Sequence, residues 1–209
     1  MTRTDIINIL IDKYGYKSYL EIGVGQGENF KNIGIESKES CDPYNRGNAD
    51  GHADFPITYP ITSDEMFNEI PSDKKWDIIF IDGLHEGNQV MRDLFNGMRH
   101  LNDNGIILIH DSLPISEESA SWPRQTNGTW HGSVYKIYPI LKDLNINFFI
   151  IDTDEGIGVV PKQQISEMKS TIVPQESLLS FPEVMHNPNL RENLNIISEE
   201  IFMTFMKHF

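Results

Sequence analysis

Apolar residues along the chain fall into two patterns, short continuous runs and stripes at helical spacing. Residues 76–81 and 106–109 are almost entirely apolar, which is typical of strands buried on both faces of a sheet. Between these runs, Val90, Leu94 and Met98 recur at the spacing of an amphipathic helix. Strands that alternate with helices in this way predict an α/β fold around a mostly parallel sheet.

The same patterns predict several further elements. Thr4 is the expected N-cap of a first helix, and Ser63 or Asp64 is the expected cap of a second. A stretch rich in Gly, Asn, Asp and Pro at 45–59 predicts a surface loop. The remaining predicted elements are helices at 4–14 and 134–144 and strands at 145–152 and 157–162.

The end of the chain predicts a single helix over residues 194–209. Its apolar side chains need a partner surface, either on the domain or on a second copy in a homodimer. They are Ile196, Ile197, Ile201, Phe202 and Phe205. We therefore divide the chain into a domain at 1–162 and a C-terminal helical extension at 163–209.

Three glycines follow the first predicted strand at every second position. Gly23, Gly25 and Gly27 end an apolar run and precede a segment that can begin a helix. Glycines at a strand end allow the backbone itself to approach a ligand. The spacing lacks the last glycine of the dinucleotide fingerprint, and no lysine followed by Ser or Thr closes a phosphate-binding loop. It indicates a nucleotide-type site of another kind; the alternative is a glycine turn in some other α/β protein.

An acidic residue follows the weak second strand. Asp42 comes about 20 residues after the glycine turn opens, where Rossmann-like folds place a carboxylate that accepts from both ribose hydroxyls. Such a carboxylate would also reject a phosphate at that position. The alternative is a turn-forming role before Pro43.

Two more carboxylates, Asp82 and Asp111, end the apolar runs at 76–81 and 106–109. In an open parallel sheet, ligands bind outside the carboxyl ends of the strands, and neighbouring strands lie about 4.8 Å apart. Asp82 and Asp111 are therefore expected to be close enough to share one divalent cation, with His85 and His110 beside them. The alternative is that each Asp caps the helix or turn that follows it.

Charge and composition narrow the range of functions. The 209 residues suit one α/β domain with decorations. A formal net charge of −14 opposes a nucleic-acid partner, because such binders carry a basic face. The single cysteine, Cys41, permits no disulfide within the chain, and no signal core or membrane span is evident. We expect a cytoplasmic protein that acts on a small molecule or glycan and not at a membrane.

Residues 113–134 interrupt the rhythm of strands and helices with a long polar loop. Loops of this length in compact domains are usually functional. Trp122, Trp130 and His131 lie in it, and aromatic faces pack well against sugar or aryl rings. These side chains predict an acceptor wall, with burial of the loop itself as the alternative.

The motif E-x-G-x-G-x-G resembles the first motif of class I S-adenosylmethionine-dependent methyltransferases. The order of motifs along residues 19–160 resembles a family of small methyltransferases found among sugar and macrolide O-methyltransferases and in glycan gene clusters. This resemblance implies a Rossmann-like, doubly wound fold: a seven-stranded, mostly parallel sheet with an antiparallel last strand and helices on both faces. The segments that carry it are YLEIGVGQGENF, ITSDEMF, WDIIFIDGLHEGNQVMRDL, NGIILIHDSLP, WHGSVYKI and DEGIGVV.

The resemblance also implies the cofactor and its site. S-adenosylmethionine would bind across the glycine turn and nearby acidic and polar residues, namely Glu21, Gly23, Gly25, Gly27, Asp42, Ser63, Asp64 and Asp82. In metal-dependent relatives, Mg²⁺ is held at positions that match Asp82 and Asp111. In the most similar sugar enzymes a histidine that matches His85 serves as the base. We assign His110, Trp130 and His131 to the acceptor side.

One departure from the family pattern bears on which cation the site would bind. Only Asp111 follows the second apolar strand, with His110 and Ser112 beside it where relatives often carry a second Asp or Asn. Histidine is a poor ligand for Mg²⁺. Three alternatives remain: another, softer divalent cation, a sphere completed by water, or a site without metal.

The predicted reaction is methyl transfer from the sulfonium of the cofactor to a hydroxyl of a sugar or related small molecule. His85 would accept the proton, and a cation at Asp82 and Asp111 would stabilise the developing alkoxide. Three alternatives remain. They are a non-catalytic cofactor-binding module, a nicotinamide-dependent oxidoreductase acting on a nucleotide sugar, and a methyltransferase that acts on a phenol or other metabolite.

Overall fold

The computed structural model of the protein describes residues 1–43, 55–163 and 180–208. Its strands are β1 Ser18–Ile22, β2 Ser37–Cys41, β3 Trp76–Ile81, β4 Leu101–Ile109, β5 Phe149–Ile151, β6 Ile157–Pro161 and β7 Ile196–Ile197. They form one seven-stranded sheet in the order β2-β1-β3-β4-β6-β5-β7. β6 is antiparallel to both of its neighbours, and the remaining pairs are parallel. The predicted α/β fold is confirmed, with the reversed strand inside the sheet.

The helices connect these strands. The helix predicted over 134–144 is a 3-10 turn, Val134–Lys136, followed directly by an α-helix. The α-helices are α1 Arg3–Tyr14, α2 Glu28–Lys31, α3 Ser63–Glu69, α4 Gly87–Arg99, α5 Ile137–Asp143, α6 Phe181–Met185, α7 Leu190–Asn193 and α8 Glu199–His208. In the part of the chain described, no helix is both long and apolar enough to cross a membrane.

Two hydrophobic cores cover the two faces of the sheet. Ile79 and Ile81 of β3 belong to one core, together with side chains of α3, α4 and α5. Ile78 and Phe80 belong to the other, together with side chains of α1, α2 and α8. Because alternate residues of a strand point to opposite faces, a strand covered on both sides must be apolar throughout. This explains the continuous apolar run at 76–81.

The N-terminal helix begins one residue earlier than predicted. Thr2, and not Thr4, is its N-cap: the Thr2 hydroxyl accepts from Asp5 N–H, and the Asp5 carboxylate accepts from Thr2 N–H. This reciprocal pair is a capping box. The Thr4 hydroxyl instead donates to Asn29 Oδ1 at 2.7 Å, which ties α1 to α2.

The C-terminal segment differs from the single helix predicted over 194–209. Ile196 and Ile197 form β7, which pairs parallel with β5, and the helix begins only at Glu199. The backbone of β5 would otherwise present unpaired groups at the sheet edge, and β7 satisfies two of them: the N–H groups of Ile150 and Asp152 donate to backbone carbonyls of the tail. Phe202 of α8 is fully buried against the sheet. Residues 180–208 therefore pack on the domain.

Part of the predicted loop at 45–59 lies outside the described residues, which resume at Phe55. Phe55 stacks on Phe30 with ring centroids 5.2 Å apart, and Tyr59 N–H donates to Ser40 C=O. The end of the loop thus packs along β2 and leads to α3. The N-cap of α3 is Thr62, in a capping box with Glu65, instead of Ser63 or Asp64.

Candidate active site

The glycine turn crosses the carboxyl end of β3. Gly23 has φ +86°, and a Cβ placed there would lie 2.1 Å from the backbone oxygen of Asp82. Gly27 has φ +79°, and its Cβ would lie 2.2 Å from the ring of Phe55. Gly25 also has positive φ, but its Cβ would meet open space. The turn therefore needs glycine for close packing at two positions, and at Gly25 it leaves room above the backbone.

A cavity of about 850 Å³ opens at this edge of the sheet. It contains most of the residues that were predicted from sequence. These are Gly23, Gly25, Asp42, Ser63, Asp82, His85, His110, Asp111 and Trp130. Five other predicted residues do not line it: Glu21, Gly27, Asp64, Trp122 and His131.

Glu21 lies beneath the glycine turn and lines a second cavity of about 660 Å³, which shares Arg3, Gly23 and Asp82 with the first. The Glu21 carboxylate accepts from the Tyr19 hydroxyl at 2.5 Å and from Asn29 Nδ2 at 2.9 Å. Burial raises the pKa of Glu21 to about 8, against the lowering effect of these hydrogen bonds. Glu21 is therefore largely protonated at neutral pH.

At another part of the large cavity, Asp42 and Asp93 line the wall together with Cys41. Asp42 Oδ2 accepts from Gly25 N–H at 3.0 Å, so the predicted ribose-binding carboxylate is held against the glycine turn. Burial raises the pKa of Asp93 to about 7. Gln89 Nε2 donates to Asp93 Oδ1 at 3.0 Å and to Ser63 Oγ at 3.2 Å. Ser63, Gln89 and Asp93 thus form one polar patch in the cavity wall.

Gln89 and Asp93 were missed in the sequence, whereas the predicted Asp64 lies outside the cavity. Asp64 is half exposed, and its carboxylate accepts from Arg92 Nε at 3.2 Å. Asp93 occupies the apolar face of α4, next to Leu94 in sequence and three residues after Val90. A carboxylate on the apolar face of a helix is unusual, and this feature of the sequence could have identified Asp93 as a candidate site residue.

Asp82 is held by two basic groups. Arg3 Nη1 donates to Asp82 Oδ2 at 2.8 Å, and His110 Nδ1 lies 3.2 Å from Asp82 Oδ1. Arg3 Nε also donates to Asp154 Oδ2 at 3.0 Å. Because these partners lie far apart along the chain, no local pattern identified Arg3 or Asp154.

His110 is buried among carboxylates. Its Nε2 lies 3.0 Å from the backbone oxygen of Asp154, and its Nδ1 lies 3.3 Å from Asp111 Oδ1. Burial alone would lower the pKa of His110, but the charge of Asp82 and hydrogen bonds to Asp111 and Asp154 raise it to about 12. The raised pKa favours a protonated His110 that neutralises part of the negative charge of the site, although Arg3 Nη1 also lies 3.1 Å from its Nδ1.

His85 and Asp111 form a dyad at the cavity wall. His85 Nδ1 lies 2.8 Å from the backbone oxygen of Trp130 and 3.1 Å from Asp111 Oδ2. These two acceptors place the imidazole proton on Nδ1 and leave the lone pair on Nε2, a tautomer assigned from the hydrogen bonds. Although burial alone would raise the pKa of Asp111, the hydrogen bond to His110 and the nearby His85 lower it. Asp111 therefore stays ionised and orients His85.

The turn between β5 and β6 brings two further carboxylates to the site. Asp154, Glu155 and Gly156 all have positive φ, of 45°, 64° and 87°. Backbone of this kind is costly for residues other than glycine and is concentrated at functional sites. Burial, followed by the charge of Asp111, raises the pKa of Glu155. No local pattern in the sequence identified Glu155, which lies between the strands predicted at 145–152 and 157–162.

The loop at 113–134 contributes an aromatic stack. Trp130 lines the cavity and stacks on His85, with ring centroids 4.9 Å apart, and on Trp122, 5.5 Å apart. His131 is fully buried and outside the cavity wall, so this structure offers it no contact with an acceptor. Gly132 packs on His85, because a Cβ at Gly132 would lie 1.9 Å from His85 O.

Two overlapping groups of side chains offer ligand atoms to a cation. In each group the ligand atoms lie within 4.8 Å of one another: Asp82, His85 and Asp111 in the first, and His110, Asp111 and Glu155 in the second. The predicted pair Asp82 and Asp111 is thus brought together. However, Arg3 and His110 already engage both oxygens of Asp82. A divalent cation fits the Asp111 side better, where carboxylate and imidazole ligands are present.

Part of the chain matches a known protein family. A family model described as a methyltransferase domain matches residues 20–112, which contain β1 to β4, the glycine turn, Asp82, His85 and Asp111. A comparison with curated protein sequences finds no match.

Solved methyltransferase structures share the fold. An O-methyltransferase from Bacillus cereus in complex with S-adenosylhomocysteine is 15% identical with a TM-score of 0.52, covering 77% of this chain and 80% of that chain. TomG, an O-methyltransferase from Streptomyces achromogenes in complex with S-adenosylmethionine, is 11% identical with a TM-score of 0.56, covering 78% and 80%. An S-adenosylhomocysteine-bound methyltransferase from Podospora anserina is 15% identical with a TM-score of 0.51, covering 78% of each chain. Residues 20–112 thus match a methyltransferase-domain model, and the chain has the fold of these solved methyltransferases.

Proposed function

We propose that this protein is an S-adenosylmethionine-dependent methyltransferase that methylates a hydroxyl oxygen of a sugar or related small molecule. The observation that carries the proposal is the Asp111–His85 dyad, which lies in the same cavity as the glycine turn. The family match over residues 20–112 and the O-methyltransferase fold support the methyl donor and the reaction class.

The cofactor would bind along the cavity wall from the glycine turn to α4. Asp42 lies against the glycine turn, where its Oδ2 accepts from Gly25 N–H, and its carboxylate would accept from the ribose hydroxyls of the cofactor. The patch of Ser63, Gln89 and Asp93 offers both donors and acceptors to the edge of the adenine. This assignment gives Asp93 the polar contact that the sequence analysis had predicted for Asp64.

His85 would act as the general base. The methyl group of a sulfonium is already activated, so the protein must align the acceptor oxygen and remove its proton. His85 Nε2 carries the lone pair, and its Nδ1–H donates to Trp130 O and lies 3.1 Å from Asp111 Oδ2. When Nε2 accepts the proton, the carboxylate of Asp111 stabilises the resulting imidazolium, as in other base–carboxylate dyads.

A divalent cation, when bound, would stabilise the negative charge that develops on the acceptor oxygen. Asp111 and Glu155 would hold it, since ligand atoms of these two side chains lie within 4.8 Å of each other. His85 keeps its role as base in this arrangement, because its Nδ1–H remains hydrogen-bonded to Trp130 O.

The aromatic wall of the cavity and the net charge of the protein support the proposed class of acceptor. Trp130 lines the cavity and stacks on Trp122, so an aromatic side chain stands at the cavity wall, and aromatic side chains suit the apolar face of a sugar ring. The net charge of −14 disfavours a polyanionic acceptor. These features support a neutral glycan or small molecule.

The test is transfer of labelled methyl from S-adenosylmethionine to a panel of sugars, glycosides and phenols. We expect transfer to a hydroxyl, a loss of about 10²-fold or more in kcat for His85→Ala, and full activity in His208→Ala, an exposed histidine on α8. Binding of the cofactor without transfer to any acceptor would indicate a non-catalytic module. A melting temperature that rises with NAD and not with S-adenosylhomocysteine would indicate an oxidoreductase.

A further inference from the structure

A short segment near the end of the long loop, residues 130–133, packs around His85. Trp130 O accepts from His85 Nδ1–H at 2.8 Å, and Ser133 N–H donates to His85 O at 2.9 Å. The first of these hydrogen bonds fixes the imidazole ring, and the second fixes the backbone of the same residue. His85 is therefore held through both its ring and its backbone by residues that are three positions apart in the chain.

The same segment approaches the backbone on either side of His85. Gly132 has φ +59°, and a Cβ placed there would lie 1.9 Å from His85 O and 2.7 Å from His85 Cβ. Ser133 Oγ accepts from Gly87 N–H at 2.8 Å. Gly87 is the first residue of α4, where the backbone N–H groups have no partner within the helix. The segment thus fixes the start of α4 as well as the histidine that precedes it.

The segment is itself anchored to an earlier part of the loop. His131 N–H and Gly132 N–H both donate to Ser119 O, at 2.8 Å and 3.1 Å. Trp130 Nε1 donates to Ser121 O at 2.7 Å. These three hydrogen bonds give the segment a defined position, from which it can orient the imidazole.

The side chain of Trp130 adds a contact with the ring of His85. The two rings stack with centroids 4.9 Å apart and an angle of 16° between their planes. Stacking restricts the plane of the imidazole. The backbone oxygen of Trp130 can accept a hydrogen bond but cannot donate one, so it favours the tautomer with the proton on Nδ1. Trp130 therefore acts on both the orientation and the tautomer of His85.

We propose that Trp130, Gly132 and Ser133 are positioning residues for the base. The inference rests on the proposed function, in which His85 accepts the proton of the acceptor hydroxyl. Gly132 and Ser133 do not line the large cavity, so their effect on the reaction would be exerted through His85 and not through contact with the acceptor. Because a small displacement of a catalytic group slows the chemical step, changes in this segment should lower kcat more than they change KM.

The kinetic test compares Gly132→Ala and Ser133→Ala with the wild type in the methyl-transfer assay. We expect kcat to fall at least about tenfold in Gly132→Ala and about threefold in Ser133→Ala, while both KM values change less than about twofold. Neither change should lower kcat further in a His85→Ala background, where the positioned group is already absent. Ser198→Ala is the matched control and should keep the wild-type kcat, since it also removes a serine hydroxyl that accepts from a helix N–H.

A second test does not depend on methyl transfer. Nuclear magnetic resonance of the protein labelled with ¹⁵N-histidine should show neutral His85 with its proton on Nδ1, in a signal that is absent from His85→Ala. This proton should exchange slowly with water, because Trp130 O accepts from it. Exchange should be at least about tenfold faster in Trp130→Ala and close to the wild-type rate in Trp130→Phe, which keeps a ring against the imidazole.

Circular dichroism checks the fold of each variant, and Ser133→Ala decides the kinetic test if Gly132→Ala does not fold. Three results would overturn the proposal: a proton on Nε2 of neutral His85 in the wild type, wild-type kcat in Ser133→Ala, and equal losses of kcat with and without His85. A protected Nδ1–H without methyl transfer to any acceptor would refute only the proposed function. Methyl transfer with an unchanged kcat in Ser133→Ala would refute only the positioning role.

Discussion

At the scale of single residues, two glycines of the turn share a positive φ but have different roles. Gly23 and Gly25 both have positive φ, of 86° and 52°. Gly23 packs directly on the end of β3, whereas Gly25 faces the open cavity. The same residue type therefore serves packing at one position and ligand access at the other.

Gly23→Ala should destabilise the fold severely, on the order of 4 kcal/mol or more, because its Cβ would lie 2.1 Å from Asp82 O and require backbone movement. Gly25→Ala should cost only about 1–2 kcal/mol, the penalty of left-handed backbone in the absence of a clash. Denaturant unfolding compares the two variants. Equal losses of stability would contradict this distinction.

Gly25→Ala also separates stability from binding. If the cofactor lies over the turn, the new methyl group should weaken binding of S-adenosylhomocysteine by calorimetry while the protein stays folded.

At the scale of elements, the C-terminal tail is part of the sheet. β7 completes the edge of β5, and α8 places Phe202 in the core while Ile201 and Phe205 stay about half exposed. The exposed surface of Ile201 and Phe205 is where the dimer contact predicted from sequence would form. The buried Phe202 accounts for the packing of α8 on the domain.

Phe202→Ala should lower the unfolding free energy by about 3–5 kcal/mol, because it leaves a cavity beneath α8. Phe205→Ala, on the same helix and 43% exposed, should change it by less than about 1 kcal/mol in a monomer. Urea unfolding measures both. A large effect of Phe205→Ala that depends on protein concentration would instead favour the dimer.

At the scale of the whole molecule, Arg3 links three distant parts of the chain. It belongs to α1 and binds Asp82 after β3 and Asp154 in the turn before β6. Burial alone would raise the pKa of Asp154, but hydrogen bonds from His110 and Arg3 hold it well below its usual range. This depressed pKa contributes stability that is fully present above about pH 4 and is lost as the pH falls further.

Arg3→Ala should therefore destabilise the protein at pH 7 by about 1–3 kcal/mol, since it leaves two part-buried carboxylates without their partner. The difference from the wild type should shrink as the pH falls below about 4, where the carboxylates become protonated. Arg191→Ala removes an exposed ion pair with Asp152 and is the matched control, expected to change stability by less than about 1 kcal/mol. Equal effects of both variants at pH 7 would argue against the bridging role.

The sequence alone determined the parts of this protein that depend on local pattern. The apolar runs identified β3 and β4, the helical stripe identified α4, and the glycine turn with Asp42, Asp82 and Asp111 identified one face of the site. The sequence shows these features because each restricts the residue types at neighbouring positions. A strand buried on both faces must be apolar throughout, and a turn whose backbone approaches a ligand needs glycine.

Only the tertiary structure decided which distant residues complete the site. Arg3 comes from the first helix, Asp93 from the buried face of α4, and Glu155 from a turn near the far edge of the sheet. His110 and His131 were both assigned to the acceptor side from sequence: His110 lines the cavity among carboxylates that raise its pKa, and His131 is buried, with neither ring nitrogen hydrogen-bonded among the described residues. Charge and hydrogen bonding act through space, so the state of such groups is set by neighbours that the sequence does not place beside them.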